Sequence, residues 1–268
     1  MNAVDLAMLR RFFIETNYPV AATSPDHLVP HGTRCNNSRN SRFNRKLEKW
    51  LSPASGEVLR VLDLGCSGGG FVRDCLELGW LSFGVEGSDF SKRFQRAEWA
   101  TIPQFLFTAD VTRPFDIYSE NNAGSKEHLL FDVITAWEVM EHIHERDLPA
   151  LCDNILRHLA PCGIWIASVS PNSDVVLGAE LHQTIQSEEW WKERMGRLGF
   201  QHHPDLINYF NGQYIRGHRF GAPNSFHLAL SRKGEKLSSP PFLSMKSRLF
   251  DAWNGCYMQR MLRELING

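Results

Sequence analysis

Short apolar runs and stretches of helical spacing alternate through the middle of the chain. In the helical stretches, apolar side chains recur three and four positions apart, which is typical of helices packed on one face. Such alternation predicts a parallel sheet with helices on both faces. The strands are predicted at residues 59–64, 81–85, 104–108, 131–137, 163–169 and 226–230, and the helices at 70–78, 90–99, 148–159 and 188–198.

The regions that flank this alternation have a different pattern. Residues 1 to about 50 form a polar lead-in, and residues 121–128 form a polar loop. Residues 246–268 have the spacing of an amphipathic helix, which we expect to pack on the core. We therefore predict an N-terminal cap over 1–54, a core over 55–234 with an insertion near 203–223, and a C-terminal helical extension over 235–268.

The composition indicates one substantial hydrophobic core. The chain has 268 residues, 43% of them hydrophobic, and a net charge of −1. Proteins that depend on non-specific nucleic-acid contacts are usually basic, so nucleic acid is not the expected partner. No apolar run reaches 18 residues, the first residues lack the pattern of a signal peptide, and the six cysteines form no C-x-x-C pair. We expect a cytoplasmic protein with reduced thiols and no membrane contact.

Basic side chains are concentrated in one segment of the lead-in. Residues 34–49 hold six lysines and arginines against one acid, Glu48. Two interpretations stay open. The segment is a solvated helix face leading into the core, or it is a cap that helps bind an anionic acceptor.

The glycine-rich turn after the first predicted strand is the most informative stretch. Residues 61–70 read Val-Leu-Asp-Leu-Gly-Cys-Ser-Gly-Gly-Gly. Glycines let a backbone approach a ligand closely, and the amides at the start of the next helix favour an anionic group. The turn therefore predicts a binding site for a nucleoside cofactor.

Two acids follow at the ends of the next predicted strands. Glu86 lies 21 residues after Gly65, and Asp110 ends the third strand. An acid at the first spacing can accept hydrogen bonds from ribose hydroxyls, in dehydrogenases and methyltransferases alike. The fourth strand discriminates between the two classes, because it runs directly into Trp-Glu-Val-Met-Glu-His at 137–142.

From about residue 55 to residue 232, these four segments resemble the class I S-adenosylmethionine-dependent methyltransferases. The resemblance implies a Rossmann-like, doubly wound, mostly parallel seven-stranded sheet. It implies that the glycine loop holds the methionine part of the cofactor, that Glu86 binds the ribose and that Asp110 approaches the adenine. The family has glycine where this chain has Ser67, which we expect to keep a negative φ. The implied cofactor contacts are Asp63, Gly65, Cys66, Ser67, Gly69, Glu86, Gly87, Asp110, Val111 and Trp137.

Glu138, Glu141 and His142 form a second candidate site. Their spacing puts the three side chains on one face of a helical turn, at the carboxyl end of the sheet. Two carboxylates and an imidazole suit a divalent ion, and His182, on the loop after the next strand, is a fourth candidate ligand.

This second pattern resembles two methyltransferase groups, the small-RNA 3′-terminal 2′-O-methyltransferases and the ubiquinone-biosynthesis O-methyltransferases. The resemblance implies that Glu138, Glu141, His142 and His182 hold a divalent metal (Mg, Mn or Zn). The ion would lower the pKa of an acceptor hydroxyl, with Glu138, His142 and His182 as catalytic residues and a vicinal diol as acceptor. Relatives without a metal also carry such a turn. There the acids would cap or hydrogen-bond near the cofactor, and His142 would be either a hydrogen-bonded supporting group or a general base.

We expect O-methylation of a small polyhydroxylated acceptor, such as a sugar, a glycan precursor or an anionic sugar. The alternative is methylation of an RNA ribose, with the basic segment following phosphates. A scaffold that binds the cofactor without turnover is a third hypothesis, against which the intact loop and turn argue.

Overall fold

The computed structural model describes residues 10–51, 57–255 and 259. Its strands are β1 (Arg10–Thr16), β2 (Arg60–Leu64), β3 (Leu81–Glu86), β4 (Leu106–Thr108), β5 (Phe115–Asn121), β6 (Lys126–His128), β7 (Phe131–Trp137), β8 (Leu159–Val169), β9 (Val175–Val176), β10 (Ala179–Glu180), β11 (Phe200–His202) and β12 (Phe226–Arg232). Its helices are α1 (Pro25–Leu28), α2 (His31–Cys35), α3 (Ser41–Leu51), α4 (Gly70–Glu77), α5 (Phe90–Arg93), α6 (Leu148–His158), α7 (Glu188–Arg197), α8 (Pro204–Phe210) and α9 (Met245–Trp253).

Seven strands form the central sheet, in the order β11-β12-β8-β7-β2-β3-β4. All run parallel except β12, which is antiparallel to both of its neighbours. The predicted fold class, a doubly wound and mostly parallel seven-stranded sheet, is confirmed. Strand order reverses between β2 and β7, and ligands of such sheets bind at the carboxyl ends of the strands beside this point.

Successive side chains of the inner strands point to opposite faces of the sheet, and each face has its own apolar layer. On β2, Leu62 and Leu64 belong to the layer that includes the buried side of α6. Val61 belongs to the other layer, together with Phe43 and Leu47 of α3. The lead-in is therefore part of the core, because α3 buries one whole side against the sheet.

Two local predictions were wrong. The helix predicted over 90–99 ends at Arg93, since Gln95 and Ala97 both have a φ of 49° and interrupt it. The loop predicted over 121–128 is instead the turn of a hairpin, in which β5 pairs with β6 on one side and with β1 on the other. Strand β5 is half-buried, so its apolar residues alternate with polar ones rather than forming a continuous run.

Half of the basic side chains in residues 34–49 form ion pairs with other parts of the fold. Arg42 Nε and Lys46 Nζ lie 2.7 and 2.6 Å from the carboxylate of Asp251, which is fully buried in α9. Arg39 pairs with Asp74 and Glu98. Burial lowers the pKa of Lys46, and the Asp251 carboxylate opposes that effect. The interpretation as a solvated face was therefore wrong for Lys46, which is buried, whereas Arg42 is partly buried and Arg39 stays exposed.

The C-terminal helix docks differently from the prediction. Leu249, Phe250 and Trp253 are 64, 51 and 40% exposed, so α9 does not pack on the core through its apolar side chains. Instead the helix is held by its buried acid, Asp251. Four further apolar positions of the predicted helix lie outside the described residues: Met258, Met261, Leu262 and Leu265.

Two further findings concern helix length and the thiols. Within the described ranges, no helix is both long enough and apolar enough to span a bilayer. The five cysteines in the described part of the chain are all unpaired.

Candidate active site

A cavity of about 1000 Å³ opens at the carboxyl ends of β2, β3, β4, β7 and β8. This is the upper end of the size range for small-molecule sites. Its lining contains both predicted groups of residues, which the sequence had placed on separate loops. From the first group it includes Gly65, Ser67, Glu86, Gly87, Asp110, Val111 and Trp137, and from the second Glu138, His142 and His182.

Three predicted cofactor contacts shape the loop without lining this cavity. The Asp63 carboxylate accepts a hydrogen bond of 2.6 Å from Thr135 Oγ1, and burial raises the pKa of Asp63 to about 7. Cys66 packs so closely on β3 that a Cβ at Gly84 would lie 2.6 Å from its Sγ. Gly69 precedes α4 with a φ of 84°, a left-handed conformation that favours glycine.

Ser67 contradicts the expected negative φ. Its φ is 48°, so it keeps the left-handed backbone that glycine would supply. The surrounding contacts stabilise this conformation. Ser67 N donates to Glu86 over 2.6 Å, its Oγ donates to Asn36 O over 2.8 Å, and Trp99 Nε1 donates to its carbonyl.

Glu86 is buried at the end of β3 and accepts three hydrogen bonds from the protein. Oε2 accepts from Ser67 N, while Oε1 accepts from Ser88 N and Thr33 Oγ1, each at 3.3 Å. Burial raises the pKa of the Glu86 carboxyl, and these donors oppose that shift. A carboxylate can accept about four hydrogen bonds, so Glu86 retains capacity for a ligand hydroxyl.

A segment of the lead-in lies over the carboxyl ends of β3 and β4. The sequence pattern did not predict these contacts. Asp110 N donates to Tyr18 O, and Ala21 N donates to Gly87 O. Farther along, the segment crosses the glycine loop, where a Cβ at Gly68 would lie 2.5 Å from Asn37 Oδ1. The Asp110 carboxylate accepts hydrogen bonds from N and Oγ1 of Thr112.

Glu138 does not share a face with the other members of the second group. The turn after β7 is a 3₁₀ turn over Met140–His142, and Glu138 precedes it with a φ of 55°. Its Oε2 accepts a hydrogen bond of 2.8 Å from Ser225 Oγ, whereas its buried Oε1 has no partner. Such backbone strain in a residue that lines a cavity is typical of functional sites.

Glu141, His142 and His182 do converge, with one potential ligand atom from each lying within 4.8 Å of the others. Glu141 is fully buried. Its Oε1 accepts from Ser170 N over 2.9 Å, and its Oε2 has no partner. Burial and the nearby Glu138 charge raise the pKa of Glu141 to about 8. A buried carboxylate oxygen without a partner, close to two imidazoles, could hold a cation.

Both histidine rings are anchored through Nδ1. His142 Nδ1 lies 2.6 Å from Asp26 Oδ2 and 3.2 Å from Leu181 O, and His182 Nδ1 donates to Asn172 O. Burial alone would lower the pKa of His142, but its hydrogen bond to Asp26 and the charge of that carboxylate raise it to about 9. Metal-binding histidines are commonly oriented in this way, with Nε2 left for the ion.

Asp26 is a residue of the candidate site that the sequence pattern did not reveal. It lies in α1, whose start is marked by the N-cap Ser24 and by Pro25. Those signals could have predicted the helix. They carry no information on where it docks, and so the contact between Asp26 and His142 could not be foreseen.

Comparison with solved structures and with sequence families gives consistent results. The chain is similar to an S-adenosylmethionine-dependent methyltransferase from Clostridium acetobutylicum, at 14% identity and a TM-score of 0.50 over 78% of this chain and 96% of that one. It is also similar to N-methyltransferase NodS from Bradyrhizobium japonicum (17% identity, TM-score 0.45, 78% and 98% covered) and to a putative methyltransferase from Listeria monocytogenes (14%, 0.45, 72% and 98%).

In sequence, no curated protein matches the chain. The first of the structural similarities shows a shared fold. The family described as "Methyltransferase domain" matches residues 37–217, which is more than half of the chain. The chain therefore belongs to this methyltransferase domain family.

Proposed function

We propose that the protein transfers the methyl group of S-adenosylmethionine to a hydroxyl of a small polyhydroxylated acceptor, with the help of a divalent metal ion. The observation that carries the proposal is the convergence of Glu141, His142 and His182. The two histidines line the same cavity as Glu86 and the glycine loop, and Glu141 is buried beside them. A vicinal diol, such as a sugar or an anionic sugar, would offer two neighbouring oxygens to such an ion.

The cavity suits the proposed methyl donor. Gly65 has a φ of 71°, and a Cβ there would lie 2.4 Å from Val139 Cγ2, so the loop needs glycine at this point. Ser67 and Glu86 line the same wall, where Glu86 would accept hydrogen bonds from the ribose hydroxyls. Trp137 and Glu138, at the end of β7, line the same cavity.

The donor set also fits a metal ion. The two imidazoles suit Zn²⁺, and the carboxylate also suits Mn²⁺ or Mg²⁺. When bound, the ion would supply a Lewis acid that lowers the pKa of the acceptor hydroxyl. Among the chain's own groups, Glu138 lines the cavity and its Oε1 lacks a hydrogen-bond partner, and we assign to it the role of accepting that hydroxyl proton.

Replacing Glu86 by alanine should weaken S-adenosylmethionine binding at least about tenfold, because charge-assisted hydrogen bonds to the ribose are lost. Isothermal titration calorimetry measures the affinity. Since Glu86 also holds Ser67 and Ser88, thermal unfolding must show that the variant is folded. Asp89→Ala, which removes the partly exposed acid that pairs with Arg93, is the matched control and should bind normally. If Glu86→Ala binds S-adenosylmethionine with unchanged affinity, Glu86 does not bind the ribose hydroxyls.

The reaction itself is tested with methyl-labelled S-adenosylmethionine and four classes of acceptor: sugars, sugar phosphates, catechols and RNA with a free 3′ end. We expect labelled sugars or sugar phosphates, loss of activity with EDTA, and recovery with Mg²⁺, Mn²⁺ or Zn²⁺. Activity that persists in EDTA would contradict the proposed role of a metal ion. Binding of the cofactor with no transfer to any acceptor would favour the scaffold hypothesis.

Ribose methylation of RNA has less support. Three of the six basic side chains in residues 34–49 are engaged in internal ion pairs, namely Arg39, Arg42 and Lys46. The remaining charges offer a short track for phosphates, so we expect weak RNA binding with a shallow salt dependence. A steep dependence of RNA affinity on salt concentration would favour this alternative instead.

A further inference from the structure

We propose that Asp116, His128 and His158 form a second metal-binding site, for a divalent transition metal such as Zn²⁺. One potential ligand atom from each lies within 4.8 Å of the others. The group lies near the amino ends of β7 and β8, whereas the cavity opens at their carboxyl ends. His158 directly precedes β8 and lies near the start of β7. A seven-residue strand is about 20 Å long, so the two sites are separate.

His158 supplies the strongest indication. It is fully buried at the end of α6, and its Nδ1 donates to Asn154 O over 2.9 Å. This leaves Nε2 as a bare acceptor, and it is buried without a partner. Buried polar atoms are rarely left unpartnered, and a ring fixed through one nitrogen with the other free is typical of a metal ligand.

The other two members face this nitrogen from the β5–β6 hairpin. The rings of His128 and His158 are 5.0 Å apart. His128 Nε2 lies 3.2 Å from Asp116 Oδ1 but makes no hydrogen bond, so it is a second buried, unpartnered imidazole nitrogen. Ligand atoms of a tetrahedral zinc ion are about 3.3 Å apart, a spacing that the pair Asp116–His128 already has.

The charges around the group permit a cation. Arg157 is the nearby competitor, with Nη1 3.4 Å from both oxygens of Asp116, but its side chain is 47% exposed and can turn toward solvent. Asp116 and His128 are each 28% exposed, so water can complete the ligand set. Two imidazoles select zinc, copper, nickel or cobalt over magnesium and calcium, which prefer oxygen ligands.

A metal at this point would tie two parts of the molecule together. Asp116 and His128 belong to the hairpin, and His158 belongs to the helix–strand junction of the core. Strand β1 pairs along β5, and the chain runs from β1 into the segment that covers the cofactor cavity. The ion would therefore stabilise the N-terminal cap without taking part in the reaction.

Zinc stoichiometry of the full chain tests the proposal. After removal of metals by a chelator, zinc is titrated by calorimetry and the bound metal is counted by elemental analysis. Asp116→Asn and His128→Gln change partly exposed residues, so folding should survive, and thermal unfolding verifies it. Glu141→Gln is the matched control at the active site.

We expect Asp116→Asn and His128→Gln each to bind one zinc ion fewer than the unaltered chain, or to weaken one site at least tenfold. Both should bind S-adenosylmethionine as before. Zinc should raise the melting temperature of Glu141→Gln but not of Glu141→Gln combined with His128→Gln. Equal zinc binding by the unaltered chain, Asp116→Asn and His128→Gln would overturn the second site. Zinc binding that Glu141→Gln leaves unchanged would instead count against the active-site metal alone.

Discussion

Replacing Glu141 by glutamine should lower the rate of methyl transfer about a thousandfold while leaving S-adenosylmethionine affinity nearly unchanged. Glutamine keeps the size of the side chain and an oxygen for Ser170 N. It removes the negative charge that the ion needs, and Lewis-acid stabilisation of a transition state amounts to several kcal/mol. Steady-state rates with saturating Mn²⁺ measure the loss, and calorimetry measures the cofactor affinity.

The neighbouring acid Glu145 provides the control for this substitution. It is exposed on the turn that follows, where its partner is Arg194, and it does not line the cavity. Glu145→Gln should therefore retain its full rate. If Glu141→Gln keeps metal-dependent activity close to normal, Glu141 is not a ligand, and the role assigned to the cluster is wrong.

Replacing Asp251 by alanine should reduce the free energy of unfolding by about 3–5 kcal/mol, because it leaves the buried ammonium of Lys46 without its counter-charge. Arg42 loses the same partner. Chemical denaturation followed by circular dichroism measures the change. Asp153→Ala, which alters an exposed acid on α6, should change the unfolding free energy by less than about 0.5 kcal/mol. A loss below about 1 kcal/mol in Asp251→Ala would show that the ion pair does not hold α9 to the core.

The central strands could be predicted because they are buried on both faces. Such strands appear as continuous apolar runs, and the run over 131–137 coincides with β7. The strands of the small antiparallel sheet were not predicted, because they are half-buried and lack a continuous apolar run. The break after Arg93 also could not be predicted, because the Arg96 guanidinium forms hydrogen bonds with Asn36 O and Ser67 Oγ, which lie far away in sequence.

The candidate site likewise has features that the sequence could predict and features that it could not. Glu86 ends β3, and Asp110 and Glu138 lie just after β4 and β7. These three strands run parallel in one sheet, so the meeting of the three acids at the carboxyl ends follows from its topology. The contact between His142 and Asp26 joins residues more than a hundred positions apart, and no local pattern encodes it. The prediction that Glu138 shares a face with Glu141 and His142 was wrong for a different reason. The positive φ of Glu138 directs its side chain to Ser225 instead.

The most direct test of the proposed chemistry is anomalous X-ray diffraction from crystals grown with S-adenosylhomocysteine and Mn²⁺. We expect a manganese peak bounded by Glu141 Oε2, His142 Nε2 and His182 Nε2, beside the sulfur of the bound nucleoside. A well-ordered S-adenosylhomocysteine with no anomalous peak between these three residues would contradict metal-assisted methyl transfer.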